Sequence, residues 1–505
     1  MIPEEVARLE RRKALEDLDI NPYPAEAHRT HTAEQVLNQF TTLDKSQEQV
    51  TLTGRVTIIR KHGGLTFLVF KDASANFQVV LRRDDVGEEE YEKFHKHADM
   101  GDFFEFTGPV MTTKKGEKSL AVKSYRWLTK TLLPLPEKFH GLTHTETRYR
   151  HRYLDLLANE SSMELALARS RMTAAMRTFL ADEGFLEVET PVLVPIASGG
   201  AAKPFETHHN ALGEDLFLRV APELYLKRLI VGGMEKVYEF ARCFRNEGIS
   251  PQHNPEFTQI ELYWAYATID DLMDHFERML PLVAKAVSGS LTVELEGKEI
   301  NFEGPYQRMT FHDAIQGETG IDIDALQDEE ELRAAMLDHG ILEAKDVIGY
   351  GELVDTLYKK TTRPKLIQPT FITHYPAAMK PLAKKDDNNP FYSASVQLLI
   401  NGSEIVNAFN ELNDPLDQLE RFEEQQALSD RGSEEAYAVD MEYVKALRHG
   451  MPPAAGYGIG IDRLAMMLTG QSSIKELILF PTLKREASTE PSDETDGTQE
   501  EGQTE

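Results

Sequence analysis

Only one cysteine, Cys243, stands in this chain of 505 residues, so no internal disulfide can staple it. No run approaches the roughly 20 continuous apolar residues that a membrane span needs. The start, Met1-Ile2-Pro3-Glu4-Glu5, has neither the basic flank nor the apolar stretch of an export signal. These absences exclude a disulfide-built secreted scaffold and a protein that spans a membrane, and they favour a reducing, cytoplasmic setting. Positive charge is scarce as well: 55 Lys and Arg stand against 84 Asp and Glu, a formal charge of −29. Taken alone, that balance argues against a nucleic-acid partner, whose backbone is gripped chiefly by lysine and arginine. No internal repeat is visible, and the alternating βαβ pattern of a doubly wound nucleotide fold is missing.

The charge is unevenly spread. Residues 486–505 hold Glu486, Glu490, Asp493, Glu494, Asp496, Glu500, Glu501 and Glu505 with no basic residue, which reads as a disordered, solvating tail. Between 114 and 152 lie Lys114, Lys115, Lys118, Lys123, Arg126, Lys130, Lys138, Arg148, Arg150 and Arg152, enough for a local basic surface. Length and an apolar content of 41% leave room for two or three domains.

Residues 4–18 suit one charged helix that stops at Asn21-Pro22-Tyr23-Pro24, an appendage within an N-terminal extension over 1–45. From Val50 the pattern changes to short β-branched and aromatic segments: 50–52, 55–59, 66–70, 77–81, 103–106 and 120–122. Turns at His62-Gly63-Gly64, Gly101-Asp102 and Lys115-Gly116-Glu117 separate them. About five strands in roughly 80 residues suggest a small barrel of the oligonucleotide-binding type over 46–132, with a generic β-barrel as the alternative. After a linker over 133–160 comes an amphipathic helix, 162–182, which feeds a strand from Phe185 to Thr190. Pro191 suits that strand to a sheet edge. Asn401-Gly402 is a two-residue hairpin turn between strands 395–400 and 403–409. The whole reads as α+β: a five-stranded barrel, then a domain over 161–484 built on a mainly antiparallel sheet flanked by helices, then the acidic tail over 485–505.

The richest chemistry lies at Arg245-Asn246-Glu247, the loop to Pro255, and Glu256-Phe257. A guanidinium grips two oxygens of a phosphate or carboxylate at once, whereas an aromatic ring stacks on a base, so the pair suits a nucleotide triphosphate. With 236–247 and 256–266 as antiparallel strands, Cys243, Arg245 and Glu247 share one face, and Phe257, Gln259, Glu261 and Tyr263 share another. Gly456-Tyr457-Gly458-Ile459-Gly460-Ile461-Asp462-Arg463 is a glycine-bearing strand running into a helix over 464–468. It lets another backbone or a ligand come close, and it is not a Walker loop, since no Gly-Lys-Ser/Thr follows. Glu223, Glu261, Glu404 and Glu411 remain outside the phosphate logic. Carboxylates converging on one pocket imply a cationic ligand or a metal. Gln397, Leu399 and Glu404 share a face across the hairpin, which suits Glu404 to magnesium. Asn407, Phe409 and Glu411 join that face only if a β-bulge near Val406 re-aims them, and such a bulge is expected.

Together these segments resemble the three signature motifs of class II aminoacyl-tRNA synthetases, and in detail the lysyl-tRNA synthetase family, over about 21–484. Motif 1 falls at 162–191, ending in Phe185-Leu186-Glu187-Val188-Glu189-Thr190-Pro191, motif 2 at 236–266 and motif 3 at 456–468. The resemblance implies a lysine–tRNA ligase that activates lysine with ATP and magnesium and passes the lysyl group to tRNA(Lys). It implies that Arg245 holds the α-phosphate and the amino-acid carboxylate, that Phe257 and Arg463 sandwich adenine, and that Glu247 reads its edge. His253 and Asn254 then tend the motif 2 loop and the phosphates, and Glu404 serves ATP through the metal. Gly199 and Glu223 take the lysine α-amine, Glu261, Tyr263 and Glu411 surround its ε-ammonium, and Asn407 fixes its carboxylate end. In the barrel, Arg60, Phe67, Gln78 and Glu117 match positions that read the anticodon. Two departures stand out. Gln397 replaces a second metal-binding acid, and an amide oxygen ligates magnesium without adding negative charge; Gly64 stands where a lysine is usual. Motif 1, apolar and without a catalytic group, implies a homodimer. The rivals are aspartyl or asparaginyl relatives, a catalytically silent RNA-binding paralogue, and a lysyltransferase acting on protein.

Overall fold

The computed structural model describes residues 2–135, 142–200, 202–430 and 439–484. The chain divides between Leu142 and Thr143 into two compact units. The expected acidic tail, Ala201 and part of the expected linker lie outside the described residues.

In the first unit the aromatic and β-branched segments form β1 (Gln49–His62), β2 (Leu65–Lys71), β3 (Asn76–Arg82), β4 (Phe103–Thr112), β5 (Lys118–Ala121) and β6 (Ser124–Thr129). The order is β1-β2-β3-β5-β4, and β1 also pairs with β4, so the two ends of the order meet; β6 adds to the outer side of β4. All pairs are antiparallel except β3 with β5. Segments 50–52 and 55–59 are one strand, because Gly54 does not break it. A Cβ at Gly54 would lie 2.3 Å from the Phe70 ring, so the glycine serves a close approach between β1 and β2. The sequence reading missed β6, although Trp127 is buried there.

The first helix, Pro3–Asp17, is where the charge pattern puts it, yet it is not an appendage. Its Leu15 belongs to the barrel core, together with Val36, Phe40 and Leu43 of a second helix, Ala33–Ser46. The sequence reading passed over that second helix, which opens on a capping box: Thr32 accepts from Gln35 N while the Gln35 side chain accepts from Thr32 N. The expected basic surface is largely neutralised by pairing. Lys123 meets Asp85 at 2.6 Å, Arg126 meets Glu105 at 3.0 Å and Lys130 meets Asp102 at 2.7 Å. Lys118 packs over the Phe40 ring. In the second unit Arg148 pairs with Glu476 and Asp155, Arg150 with Glu146, and Arg152 with Asp155. Lys138 lies outside the described residues. An acidic chain folds its scarce cations onto its own carboxylates.

The second unit opens with two short helices, Thr145–Arg150 and Arg152–Ala158, in the stretch expected as linker, before the long helix Glu160–Asp182. Its strands, in chain order, are β7 Leu186–Glu187, β8 Leu193–Val194, β9 Glu206–His209, β10 Glu214–Leu218, β11 Lys236–Phe244, β12 Glu256–Ala265, β13 Thr292–Leu295, β14 Lys298–Asn301, β15 Gln307–Thr310, β16 Thr370–Thr373, β17 Ser395–Ile400, β18 Ser403–Asn410 and β19 Ala454–Gly460. Eight of them make the main sheet, in the order β15-β16-β17-β18-β19-β12-β11-β7. Only the outermost pairs, β15 with β16 and β7 with β11, are parallel. β7 keeps two residues of the strand expected over 185–190 and lies at the edge, as Pro191 requires. The long helix and the helix Ile269–Ser288 bury Met172, Met176, Phe276 and Met279 in one core with Ile260, Leu398 and Ile459 of the sheet. The sheet's opposite face is left to the site.

Candidate active site

The registers decide which side chains meet. Across β11 and β12, Glu239 stands opposite Glu261, Ala241 opposite Gln259 and Cys243 opposite Phe257, so the two alternating sets share one face. β19 lies between β12 and β18, where Gly456 faces Tyr263 and Phe409, and Gly458 faces Glu261 and Asn407. The glycines are what opens the site. A Cβ at Gly456 would come within 2.5 Å of the Tyr263 ring and 2.6 Å of Glu411 Oε1. On β18 the ladder shifts register: Leu398 pairs with Val406 but Leu399 with Glu404, which leaves Ile405 as the extra residue. The expected bulge is therefore present, and it puts Glu404, Asn407 and Gln397 on one face. The turn itself has both Asn401 and Gly402 at positive φ, as a tight hairpin demands.

These elements enclose a cavity of about 460 Å³. Its wall includes Gly199, Glu223, Arg245, Glu247, His253, Asn254, Phe257, Glu261, Tyr263, Glu404, Asn407 and Arg463. One end is cationic. The Arg245 guanidinium sits 5.1 Å from the Phe257 ring centroid, and its Nε is buried with no hydrogen-bond partner among the described residues. Arg463, in the first turn of the helix Ile461–Leu468, donates to the Glu404 carbonyl at 3.0 Å. Burial holds the Arg463 guanidinium below its usual pKa, with Glu404 opposing the shift and Arg363 and Arg245 adding to it. Burial and then Arg463 hold His253 below the usual histidine range, and its Nδ1 lies 2.8 Å from Ser250 Oγ. Asn254 is committed to the loop: its amide donates to Glu256 O and its oxygen accepts from Thr482 N.

The other end is acidic. Glu261 is buried and accepts from Gln259 Nε2 at 2.6 Å and from the Tyr263 hydroxyl at 3.2 Å. Burial, reinforced by Glu223, pushes its carboxyl well above the usual range. Glu411 adjoins Gly456 and the Tyr263 ring, with Oε2 2.5 Å from Lys227 Nζ. Lys227 stands four residues after Glu223 on the helix Glu223–Val231 and meets that acid too, at 2.7 Å. Burial alone would lower this ammonium, but Glu223 and Glu411 overcome it and hold the group charged. The cation inferred from converging acids is thus partly the chain's own, and among the described residues Glu261 is the acid of this end that lines the cavity with no ion pair.

The metal position also departs from expectation. Gln397 lies off the cavity wall, its Nε2 donating to Glu404 Oε2 at 2.8 Å and its Oε1 accepting from the Tyr375 hydroxyl at 2.7 Å. An amide turned this way offers a donor where a bridging cation needs an acceptor, so the pair 397/404 does not fit a bridging ion. Glu404 remains as a single carboxylate.

Residues 144–484 match the model of class II tRNA synthetases (D, K and N), and residues 50–128 match that of the OB-fold nucleic acid binding domain. The chain belongs to the class II tRNA synthetase family. A lysine–tRNA ligase of Carboxydothermus hydrogenoformans is 46% identical over 94% of this chain and 97% of its own length. One of Lactococcus lactis subsp. cremoris shows the same identity and coverage, and one of Methanoculleus marisnigri is 44% identical over 95% of each chain.

In the OB-fold of this synthetase, Arg60 pairs with Phe67 and Val69 pairs with Gln78, which puts Arg60, Phe67 and Gln78 on one outer face of β1, β2 and β3. Gln78 donates to Ser119 Oγ at 2.7 Å. Glu117 is exposed beside β5 in the preceding turn. The sequence reading missed Lys227, Lys380 and Asp462. Lys227 had a signal, the i,i+4 spacing from Glu223. Asp462 positions the site by taking Arg169 at 2.8 Å and the Thr258 amide at 3.2 Å. Lys380 had no signal, because a loop remote in sequence delivers it to the cavity wall.

Proposed function

We propose that this class II synthetase is a lysine–tRNA ligase that works in two steps. Lysine carboxylate attacks the α-phosphorus of ATP, giving lysyl-adenylate and pyrophosphate, and the terminal ribose hydroxyl of tRNA(Lys) then takes the lysyl group. The observation that carries this is the polarity of one cavity: Arg245, Arg463 and Phe257 at one end suit a nucleotide triphosphate, and Glu261 with Tyr263 at the other suits an ammonium. In-line attack on phosphorus needs positioning and fixed cations more than covalent help, which is what Arg245 and Arg463 offer. Glu247 reads the adenine edge and His253 the phosphates, while Gly199 and Glu223 receive the α-amine and Asn407 the carboxylate. Magnesium accompanies ATP, with Glu404 as its carboxylate. Glu411 joins Glu261 and Tyr263 at the ammonium end, held in place by Lys227.

Lysine is favoured over aspartate and asparagine because an ammonium draws the buried Glu261 carboxyl to its charged form, whereas a second carboxylate has no cation to meet there and an amide brings no counter-charge. The outer face with Arg60, Phe67 and Gln78, and the turn with Glu117, read the anticodon by stacking and edge contacts. Apolar side chains exposed along motif 1, Met163, Leu167 and Leu186, support a homodimer in which they are covered. The setting is the cytoplasm, and no helix among the described residues is long and apolar enough to cross a membrane. The test is pyrophosphate exchange with lysine, aspartate and asparagine in turn, followed by charging of a tRNA(Lys) transcript. Exchange with lysine alone is expected. Exchange driven by aspartate or asparagine, or by none of the three, refutes the assignment.

A further inference from the structure

Lys380 is the cation on the cavity wall to which the two-step chemistry assigns no role. Its Nζ donates to Asn407 Oδ1 at 2.8 Å and lies 4.9 Å from the Tyr375 ring centroid. Among the described residues no carboxylate oxygen lies within 4.0 Å of it, so it faces the cavity with one neutral partner. The carboxylate of Glu404 lines the same wall. On the neighbouring strand, Gln397 stands opposite Asn407, and its amide is locked between Glu404 and Tyr375. Two acids with a divalent ion sum to zero charge, and so do one acid, one amide and one ammonium. The loss of a carboxylate at 397 and the presence of an ammonium at 380 therefore balance within one corner of the site.

We propose that Lys380 is a resident cation that takes the place of a bridging metal, so that this chain holds the ATP phosphates with one divalent ion fewer than a pair of acids at 397 and 404 would hold. A lysine ammonium is a compact, mobile donor of three hydrogen bonds and serves a phosphate as a point charge. Unlike a metal, it cannot be diluted away, so nucleotide binding becomes less dependent on free magnesium. This rests on the cavity being the ATP site.

The test counts ions. The full chain, with lysine and a non-hydrolysable ATP analogue at saturation, is titrated with Mn2+, and bound ions are read from the loss of the free-ion paramagnetic resonance signal. The same is done with a Lys380→Ser, Gln397→Glu double variant. Wild type is expected to hold one ion fewer per chain than the double variant; equal counts overturn the proposal. The single variant Lys380→Met, with folding checked by thermal unfolding, guards against collapse of the double variant. Its analogue dissociation constant at limiting magnesium is expected to rise roughly tenfold or more, the worth of one charge-assisted hydrogen bond. An unchanged constant overturns the proposal as well. If the analogue fails to bind wild type at all, the ATP assignment itself falls, which is a distinct result.

Discussion

Glu261 and Lys227 show how one charge decides what a pocket accepts. Of the acids at the amine end, Glu223 and Glu411 already share Lys227, whereas among the described residues Glu261 has hydrogen bonds from Gln259 and Tyr263 and no ion pair. Glu261→Gln should raise the lysine KM by the worth of a buried charge pair, about 2–5 kcal/mol or at least roughly 30-fold, with the ATP KM little changed. Steady-state pyrophosphate exchange against each substrate reads the split, and an unchanged lysine KM removes the role. Arg245→Ala should lower exchange by about two to three orders of magnitude with the unfolding temperature retained, since it strips the cationic end of its fork. Such roles were legible because they follow from residue type. The capture of Glu411 by Lys227 was not, because it depends on which face of a helix meets a distant strand. His275 gives a pH test. It is buried among Phe179, Phe185 and Tyr457, and burial, with Arg278 and Lys236, lowers its pKa to about 3. Below about pH 6.5 the unfolded chain binds a proton there and the folded chain does not, so stability is full above that pH. It is lost at about 1.4 kcal/mol per pH unit down to about 3. His275→Gln should flatten that slope between pH 6 and 4 in chemical unfolding, whatever it costs at pH 7.

At the scale of elements, alternation and turn chemistry carried the strands that bear the site. The hairpin at Asn401-Gly402 and the bulge beside Val406 were both readable, because Glu404 and Asn407 differ by an odd number and no regular ladder can aim them together. What periodicity could not show was the loop that brings in Lys380, or the helix Ala33–Ser46 and strand β6, whose burial is owed to neighbours rather than to their own patterns. The bulge is itself testable. Deleting Ile405 restores a continuous ladder in which Glu404 and Asn407, now two positions apart, still share the cavity face. Lysine-dependent exchange should therefore be retained while a circular dichroism spectrum keeps its strand content; a fall to background would mean that the bulge itself, and not alternation, aims the two residues.

At the scale of the whole molecule, the two compact units have separate cores, and this decides where the chain can be cut. The barrel shares its core with Leu15, Val36, Phe40 and Leu43, so removing residues 46–132 alone would uncover these apolar side chains of the two helices. A chain beginning at Thr143 leaves the core of the second unit intact, with the sheet, the long helix and every residue of the cavity wall. If the anticodon is read by Arg60, Phe67, Gln78 and Glu117, that shortened chain should keep lysine-dependent pyrophosphate exchange within a few-fold of the full chain. Charging of tRNA(Lys) should weaken by about 1–3 kcal/mol for each base that no longer stacks, seen as a raised tRNA KM. The full chain should also lose charging when anticodon bases of the transcript are changed, and the shortened chain should not respond to the same changes. Equal sensitivity of the two chains to the anticodon would move recognition out of the barrel. Net charge does not forbid this interaction: a protein at −29 binds RNA through the few places where stacking rings and unpaired polar groups face outward, so its affinity should depend more on the aromatic at 67 than on bulk lysine content.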